Sequence, residues 1–305
     1  LEALPVGATV LVAGHDLKFA QSTIDALITD GYEVLLDQWE SHTQHDEDHS
    51  MDLLSQADAV FCEWGLGNAV WYSHNVRPDQ RLIVRVHSQE LFRPYLKQID
   101  TTSVDKFVFV GELIRDAAVI SHGIPEKSTV VIPNPVDIKA LELPKKPNAE
   151  FGIGFVGIVP QSKRLDRALD VLEALQKKDS RFHLRIKGKT PDDYPWMANR
   201  PEEMAFYEEQ YDRIAKLNSL NLGSVIFDGF GPDMADWYRN VGFVLSVSDF
   251  ESFHLTLADG AASGASSYSI AWPGADLIYP LEWLSASTSE PVSYTHLTLP
   301  TTPYV

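Results

Sequence analysis

The chain has 305 residues, 44% of them hydrophobic, with a formal net charge of −18. This length predicts about two domains, each with enough apolar residues for a buried core. The acidic balance excludes a nucleic-acid binder that works through a basic surface stripe.

The single cysteine, Cys62, excludes a disulfide framework and indicates a reducing, cytoplasmic setting. It follows Val60 and Phe61 in an apolar run, which favours a core thiol over a nucleophile. The sequence contains no signal peptide and no apolar run of 18 residues, so we expect no transmembrane helix. Because the chain begins at Leu1 rather than Met, we expect it to be a piece of a longer protein.

The first half alternates short apolar runs with helical stretches. The runs at 8–13, 32–37, 57–64, 81–86, 105–110 and 129–132 predict six buried strands, and residues 19–30 predict the first helix. This alternation is typical of βαβ units, so the sequence predicts an α/β fold with a doubly wound parallel sheet.

A polar segment at 38–50 contains residues that bind metals in other proteins: His42, His45, Glu47, Asp48 and His49. Their spacing matches no fixed ligand pattern. We therefore expect a solvated loop here, with a metal site as the alternative.

The second half repeats the α/β pattern. After a polar, proline-containing linker predicted at 141–150, strands are expected at 151–157, 183–187, 224–227 and 241–247, with helices at 168–178, 203–218, 233–240 and 255–262. The predicted domains are thus 1–140 and 151–290.

Residues 246–264 combine a strand end, a polar turn and the start of a helix. The first amides of a helix lack partners and attract anions. Two carboxylates bracket the turn, Glu251 before the helix and Asp259 within it. A ligand with a phosphate at one end and hydroxyls at the other, such as a nucleotide sugar, suits this pattern. The plain alternative is an ordinary strand-to-helix turn with an acid favoured by the helix dipole.

Three segments carry a family resemblance. Glu251, seven residues and Asp259 resemble the acid-x7-acid signature of retaining, two-domain (GT-B) glycosyltransferases of family 4, or group 1 type, in which the second acid is usually Glu. Ile132-Pro-Asn-Pro-Val-Asp137 resembles the segment that closes the first domain of these enzymes. The segment from Gly157 to Arg164 resembles their diphosphate-binding loop, with Ile158 in place of the usual Arg and Arg164 in place of a Gly.

The resemblance implies roles for individual residues. Glu251 would lie by the transferred sugar, Asp259 would hold the ribose hydroxyls, and Lys163 would bind the diphosphate, helped by Arg164 if it supplies the lost guanidinium. His87 corresponds in kind to a histidine near the donor sugar, and Glu251 and His87 are the catalytic candidates. Glu90 is a weaker candidate for the acceptor. The remaining donor-binding candidates are Gly157, Gly188, Phe253, His254, Leu255 and Thr256.

Each basic or imidazole candidate also has a plain structural interpretation. Lys163 and Arg164 could be two basic residues on a solvated helix start, although cations there oppose the helix dipole. His87 could be a strand-end histidine with a backbone partner.

The function that follows from the resemblance is retaining transfer of a sugar from a nucleotide-diphosphate sugar, in the cytoplasm, to a glycan or lipid-linked acceptor, as in polysaccharide biosynthesis. Neither a metal nor another cofactor is expected, because positive side chains and helix amides would replace a cation. Loops at 14–18, 65–68 and 87–92 are expected to face the acceptor. Two alternatives stay open: a non-catalytic nucleotide-sugar-binding module, favoured by Ile158 and Asp259, and a GT-B UDP-sugar 2-epimerase.

The last segment, 291–305, differs from the rest. Residues 292–297 resemble a translated sequencing adapter, with a genuine Pro/Thr-rich tail as the alternative. If it is an adapter, the second domain is expected to be truncated.

Overall fold

A computed structural model of the protein describes residues 3–285. The chain divides between Pro135 and Val136 into two compact units. Each unit contains a six-stranded sheet in which every strand pair is parallel, with helices in the connections. The predicted α/β fold with two doubly wound parallel sheets is confirmed.

The first unit contains the strands β1 to β6 in the order β2-β1-β3-β4-β5-β6. Their bounds are β1 Thr9–Gly14, β2 Glu33–Gln38, β3 Ala59–Glu63, β4 Arg81–Val86, β5 Lys106–Phe109 and β6 Thr129–Val131. The helices are α1 Gln21–Thr29, α2 Glu47–Gln56, α3 Gly67–Asn75 and α4 Glu112–His122. Central strands such as β1, in which Leu11, Val12 and Ala13 are fully buried, are covered on both faces, as parallel sheets require.

The second unit contains the strands β7 to β12 in the order β12-β11-β10-β7-β8-β9. Their bounds are β7 Gly152–Val156, β8 His183–Lys187, β9 Val225–Gly229, β10 Phe243–Ser246, β11 Ser266–Ile270 and β12 Leu284–Ser285. The helices are α5 Ile138–Leu141, α6 Leu165–Gln176, α7 Pro201–Leu220, α8 Met234–Tyr238 and α9 Leu255–Ala262.

Helices cover both faces of the second sheet. On one face α6 buries Leu165, Leu169 and Leu172, whose spacing of three and four residues places them on one side of the helix. On the other face α8 and α9 contribute to a separate cluster that contains Trp237 and Leu257. The sheet is therefore the middle layer of three.

Each sheet reverses its strand order at one point. In the first unit the chain adds β2 on one side of β1 and β3 on the other. In the second unit β8 and β9 lie on one side of β7, and β10 lies on the other. Open α/β sheets bind ligands at such switch points, beyond the carboxyl ends of the strands. The fold thus marks two crevices, between β1 and β3 and between β7 and β10.

The segment 38–50 is only partly a loop. Helix α2 begins at Glu47 because Asp46 is its N-cap: the Asp46 side chain accepts a hydrogen bond from the amide of His49. The polar composition of the segment gave no sign of this cap. Ser50, predicted to be solvated, is fully buried. The prediction of a loop was wrong from residue 47 onward.

The segment predicted as a linker packs onto the second unit. Leu141 is buried among residues of α8 and α9. The Lys145 ammonium group donates hydrogen bonds to the carbonyl of Tyr238 at 2.9 Å and to Ser263 Oγ at 3.0 Å. The boundary between the units therefore falls earlier than the predicted linker at 141–150.

The thiol of Cys62 is buried, and burial raises its pKa, as expected for a core cysteine. Among residues 3–285, every helix is too short or too polar to cross a bilayer. The adapter-like segment at 291–305 and the predicted end of the second domain at residue 290 lie outside the described residues.

The core of the second unit can be tested with two leucines of opposite burial. Leu172 is fully buried on α6, whereas Leu222 is 95% exposed. We expect Leu172→Ala to lower the free energy of unfolding by about 2–5 kcal/mol, because a buried leucine loses both transfer energy and packing. Leu222→Ala should change it by less than about 0.5 kcal/mol. Urea denaturation followed by circular dichroism measures both, and equal losses would contradict the described core.

Candidate functional site

The first side of the candidate site is the connection from β7 to α6. Gly157 follows β7 with φ +76°, a left-handed conformation that favours glycine, and its amide donates to the Lys187 carbonyl at 2.8 Å. A 3-10 turn at Gln161–Lys163 then leads to Arg164, which also adopts a left-handed conformation at φ 61°. The chain thereby turns sharply enough to place Lys163 at the carboxyl edge of the sheet.

The second side is the connection from β10 to α9. His254 caps the helix in a left-handed conformation, with φ 53°. Within residues 3–285, no hydrogen-bond acceptor meets the amides of Phe253, His254, Leu255 or Thr256. These amides form the positive end of the α9 dipole. The side chains of Phe253, His254 and Thr256 are buried, so the unpaired amides are the groups of this turn considered for an anion.

Lys163 and Glu251 join the two sides. Lys163 Nζ lies 2.5 Å from Glu251 Oε1, and the side chains are 23% and 12% exposed. Ser248 Oγ donates to the same carboxylate oxygen at 2.7 Å. The ion pair therefore sits at the β7/β10 switch point, where the fold alone predicts a ligand.

The electrostatics of the pair keep Glu251 ionised. Burial by itself would raise the pKa of Glu251, but the charge of Lys163 and the hydrogen bonds from Lys163 and Ser248 oppose it, and the pKa lies below its ordinary value. Burial lowers the pKa of His254 to about 4, which leaves its imidazole neutral at pH 7. Lys163 is thus the cation that balances Glu251 at neutral pH.

His254 is buried, and hydrogen bonds fix both its side chain and its backbone. Its Nδ1 lies 2.5 Å from Ser246 Oγ, and its backbone carbonyl accepts a hydrogen bond from the Tyr279 hydroxyl at 3.1 Å. Its Nε2 is buried without a partner in residues 3–285. The imidazole therefore supports the turn beneath Glu251.

Arg164 forms ion pairs with two neighbouring carboxylates, Asp166 and Asp249. Its guanidinium binds both oxygens of Asp166, at 2.9 and 2.7 Å, and a third nitrogen lies 3.1 Å from Asp249. The hydrogen bonds that Arg164 donates to Asp166 are the largest of several influences that raise the pKa of Arg164. This geometry connects the two loops and leaves Lys163 as the cation nearest to Glu251.

Asp259 lies one turn into α9 and differs from Glu251. No hydrogen bond or ion pair reaches its carboxylate from any described residue. Burial raises its pKa from 3.8 to about 6. A partly buried acceptor without a donor suits a ligand that supplies hydroxyl groups.

Gly188 and Lys187 form a further part of the carboxyl edge. Gly188, predicted as donor-binding, has φ +128°, and a Cβ there would lie 3.4 Å from the Gly157 backbone. Sequence reasoning missed Lys187, whose buried ammonium group lies 2.7 Å from Asp233 Oδ1. Its position as the last residue of a predicted strand was the available signal.

His87 lies in the first unit, at the carboxyl end of β4. Its Nε2 is 2.8 Å from Glu63 Oε1, so its partner is a buried carboxylate rather than the backbone. Glu90 is fully buried and accepts from the amides of Gly65 and His87, at 3.1 and 3.0 Å, and burial raises its pKa. One oxygen of Glu90 therefore braces the turn after β4, while Oε2 is buried without a partner among the described residues.

Among residues 3–285, no group of three or more His, Cys, Asp or Glu side chains is arranged to hold a metal. His45, which the sequence placed in a metal-like cluster, instead bonds Ser50 Oγ at 2.7 Å and stacks on Trp39. The segment 38–50 thus has a structural explanation for this histidine.

Two doubly wound parallel sheets, each with a crevice at its switch point, define the GT-B class of fold. Solved structures with this fold superpose on 79–96% of the chain. A UDP-forming α,α-trehalose-phosphate synthase from Burkholderia xenovorans superposes with a TM-score of 0.69 at 13% identity, covering 96% of this chain and 89% of its own. HepE from Anabaena, solved with UDP-glucose, gives 0.66 at 15% identity, covering 93% and 87%.

A third similar structure is the pneumococcal O-GlcNAc transferase GtfA, solved with UDP and GlcNAc, with a TM-score of 0.58 at 16% identity, covering 79% of this chain and 48% of that one. No protein-family model matches the sequence, and no curated protein matches it significantly. Likeness at such low identity establishes the fold, so the function must be argued from the site.

The raised pKa of Asp259 predicts a pH-dependent stability. The folded state binds a proton at this group more tightly than the unfolded chain does, so the group destabilises the folded state above pH 6 and the cost disappears as the pH falls towards 4. We expect Asp259→Asn to stabilise the protein at pH 7.5 by up to about 3 kcal/mol, at about 1.4 kcal/mol per pKa unit, and to have little effect near pH 4.

Thermal unfolding of the wild type and Asp259→Asn across pH 4–8 measures this difference. Asp276→Asn, at an exposed position of the same unit, is the control. A stability difference for Asp259→Asn that does not vary with pH would contradict the burial of this carboxylate.

Proposed function

We propose that the protein is a retaining glycosyltransferase that uses a nucleotide-diphosphate sugar. The observation that carries the proposal is the Lys163–Glu251 pair at the β7/β10 switch point, beside the four unpaired amides of residues 253–256 at the start of α9. An ammonium group, a helix N-terminus and an ionised acid in one place suit a ligand with an anionic half and a hydroxyl-rich half. A nucleotide-diphosphate sugar has both.

The diphosphate is the leaving group of the proposed reaction. The bond between the sugar C1 and the β-phosphate oxygen breaks, and a bond from C1 to an acceptor hydroxyl forms on the same face, while the proton of that hydroxyl passes to an oxygen of the departing diphosphate. Negative charge grows on the phosphate, so preorganised positive groups aimed at it lower the barrier. Lys163 and the amides of residues 253–256 supply such groups, which is why the proposal includes no metal or other cofactor.

Glu251 has a separate role in the proposal. When the diphosphate accepts hydrogen bonds from Lys163, the Glu251 carboxylate loses part of its pairing and gains free acceptor capacity. Hydroxyl groups of the transferred sugar can then donate to it. A carboxylate that stays ionised at neutral pH suits this role, since it accepts hydrogen bonds and does not protonate the leaving group.

Asp259 would hold the ribose. Its unpaired carboxylate can accept hydrogen bonds from the two ribose hydroxyls, which would replace the water lost on burial. Gly157 and Gly188 carry no Cβ and so leave their backbone open to close approach by the nucleotide.

The solved relatives indicate which donor to test first. HepE is described with UDP-glucose, GtfA with UDP and GlcNAc, and the trehalose-phosphate synthase as UDP-forming. A UDP-sugar is accordingly the first donor to offer this protein. The proposed acceptor is a glycan or a lipid-linked glycan, reached in the cytoplasm.

One observation favours a second candidate function, a binding module without turnover. Ile158 stands where the resembled family has an arginine, and its side chain is 1% exposed within the core. Arg164 is held by Asp166 and Asp249. The site then has fewer free cations for the leaving group, which weakens catalysis more than ground-state binding.

Lys163 can be tested by nucleotide binding. We expect Lys163→Ala to weaken UDP binding about tenfold or more, because a charge-assisted hydrogen bond contributes about 1.5–3 kcal/mol. Isothermal titration calorimetry measures the affinity. Lys139→Ala, at an exposed position of α5, is the matched control and should bind like the wild type. Equal affinities for Lys163→Ala and the wild type would remove Lys163 from the proposed site.

Glu251 can be tested by turnover. We expect Glu251→Gln to lower the transfer rate at least tenfold, while UDP itself, which lacks the sugar, binds nearly as before. Product release from a UDP-sugar with and without a glycan acceptor is measured, and NMR of the new glycosidic bond reports whether the anomeric configuration is retained.

Each alternative function has its own outcome in this assay. UDP binding without any product supports the binding module. A changed sugar nucleotide formed without acceptor indicates a 2-epimerase. An inverted anomeric bond would overturn the retaining assignment.

A further inference from the structure

A buried charge network surrounds His87 at the carboxyl edge of the first sheet. Glu63, the last residue of β3, is fully buried. Its Oε1 lies 2.8 Å from His87 Nε2, and its Oε2 lies 3.4 Å from a guanidinium nitrogen of Arg85. The carboxylate thus has one oxygen for the imidazole and one for the guanidinium.

Arg85 also ties other parts of this edge together. The nitrogen that faces Glu63 donates to the Phe19 carbonyl at 3.0 Å, and a second nitrogen donates to the side-chain oxygen of Asn134. Because the side chain of Arg85 is only 5% exposed, its charge needs the Glu63 carboxylate as a partner.

Two aromatic rings hold the His87 imidazole from the sides. Trp64 packs at 4.2 Å between ring centroids and Phe19 at 5.4 Å. Trp64 has φ +71°, a strained conformation for a bulky residue, and its indole donates to the Asp16 carbonyl at 2.8 Å. Strain of this kind persists only where the surrounding structure imposes it, and it clusters at ligand sites.

The contacts determine which imidazole nitrogen carries the proton. A carboxylate beside a guanidinium only accepts hydrogen bonds, so the neutral imidazole must donate from Nε2. When the ring is neutral, its Nδ1 then bears a lone pair, and no residue between 3 and 285 donates a hydrogen bond to it. An acceptor of this kind matches a hydroxyl donor and does not match a phosphate.

We propose that Glu63, backed by Arg85, is a positioning residue that locks His87 in the Nε2–H tautomer and presents Nδ1 to a sugar hydroxyl. Glu63 ends β3, one of the two strands that flank the switch point of the first sheet. The inference rests on the proposed function for the identity of the ligand, a neutral sugar, but the tautomer itself does not depend on it.

The tautomer is measured in the wild-type protein. Long-range 1H–15N correlation spectra of protein labelled with 15N-histidine distinguish protonated from unprotonated imidazole nitrogens, and His87→Gln assigns the His87 signals. We expect an unprotonated Nδ1 and a protonated Nε2 at pH 7. The opposite tautomer, an even mixture or a doubly protonated ring would overturn the proposal, whether or not the protein transfers sugar.

The positioning role is measured with Glu63→Gln. An amide can donate or accept, so it no longer imposes one tautomer. We expect the His87 spectrum to show both tautomers, and kcat with a UDP-sugar to fall about tenfold while the UDP affinity is unchanged. Glu33→Gln, an exposed change on β2, controls for charge and should behave like the wild type.

The results separate the two proposals. Wild-type protein that neither binds UDP nor transfers sugar contradicts the proposed function, whereas the spectra still decide the tautomer. A single unchanged tautomer in folded Glu63→Gln, or an unchanged kcat in an active preparation, overturns the positioning role. If Glu63→Gln does not fold, the wild-type spectrum alone decides.

Discussion

The ion pair between Lys163 and Glu251 is the contact on which the proposed chemistry of the second unit depends. It connects two loops that are 88 residues apart in sequence, at the point where the strand order reverses. Parallel strands end at one edge, so the loops after β7 and β10 meet only because these strands are neighbours. Without a ligand each charge balances the other, and a ligand with phosphates and hydroxyls can exchange partners with both.

Local charge matters because the chain as a whole is acidic, with a net charge of −18. A phosphate is not attracted by the protein's overall field, so binding must come from short-range groups. The described site has the ammonium group of Lys163, a helix N-terminus and glycine-lined backbone, while Arg164 is paired with Asp166 and Asp249 and Lys187 with Asp233. In the first unit a single carboxylate, Glu63, likewise contacts both Arg85 and His87.

Sequence reasoning located most elements because their signals are local. The bounds of β4, β8 and α9 were predicted to the residue, since each is an apolar run or a helical stretch between clear turn residues. The start of α2 was missed because its N-cap, Asp46, lies in a polar segment in which several residues could equally have been a cap. The linker was misplaced because buried contacts of Leu141 and Lys145 do not show in a proline-rich composition.

The sequence by itself determined the α/β class, the acid pair Glu251 and Asp259, and Lys163 as the candidate cation. Strand periodicity and motif spacing are local properties of the sequence, so they can be identified without the fold. Only the tertiary structure decided that Lys163 contacts Glu251, that Arg164 is already paired, that Glu90 is sealed in the core, and that Glu63 and Arg85 stand behind His87. The reason is physical: ion pairing and burial depend on which strands become neighbours, and that order is set by long-range packing rather than by local pattern.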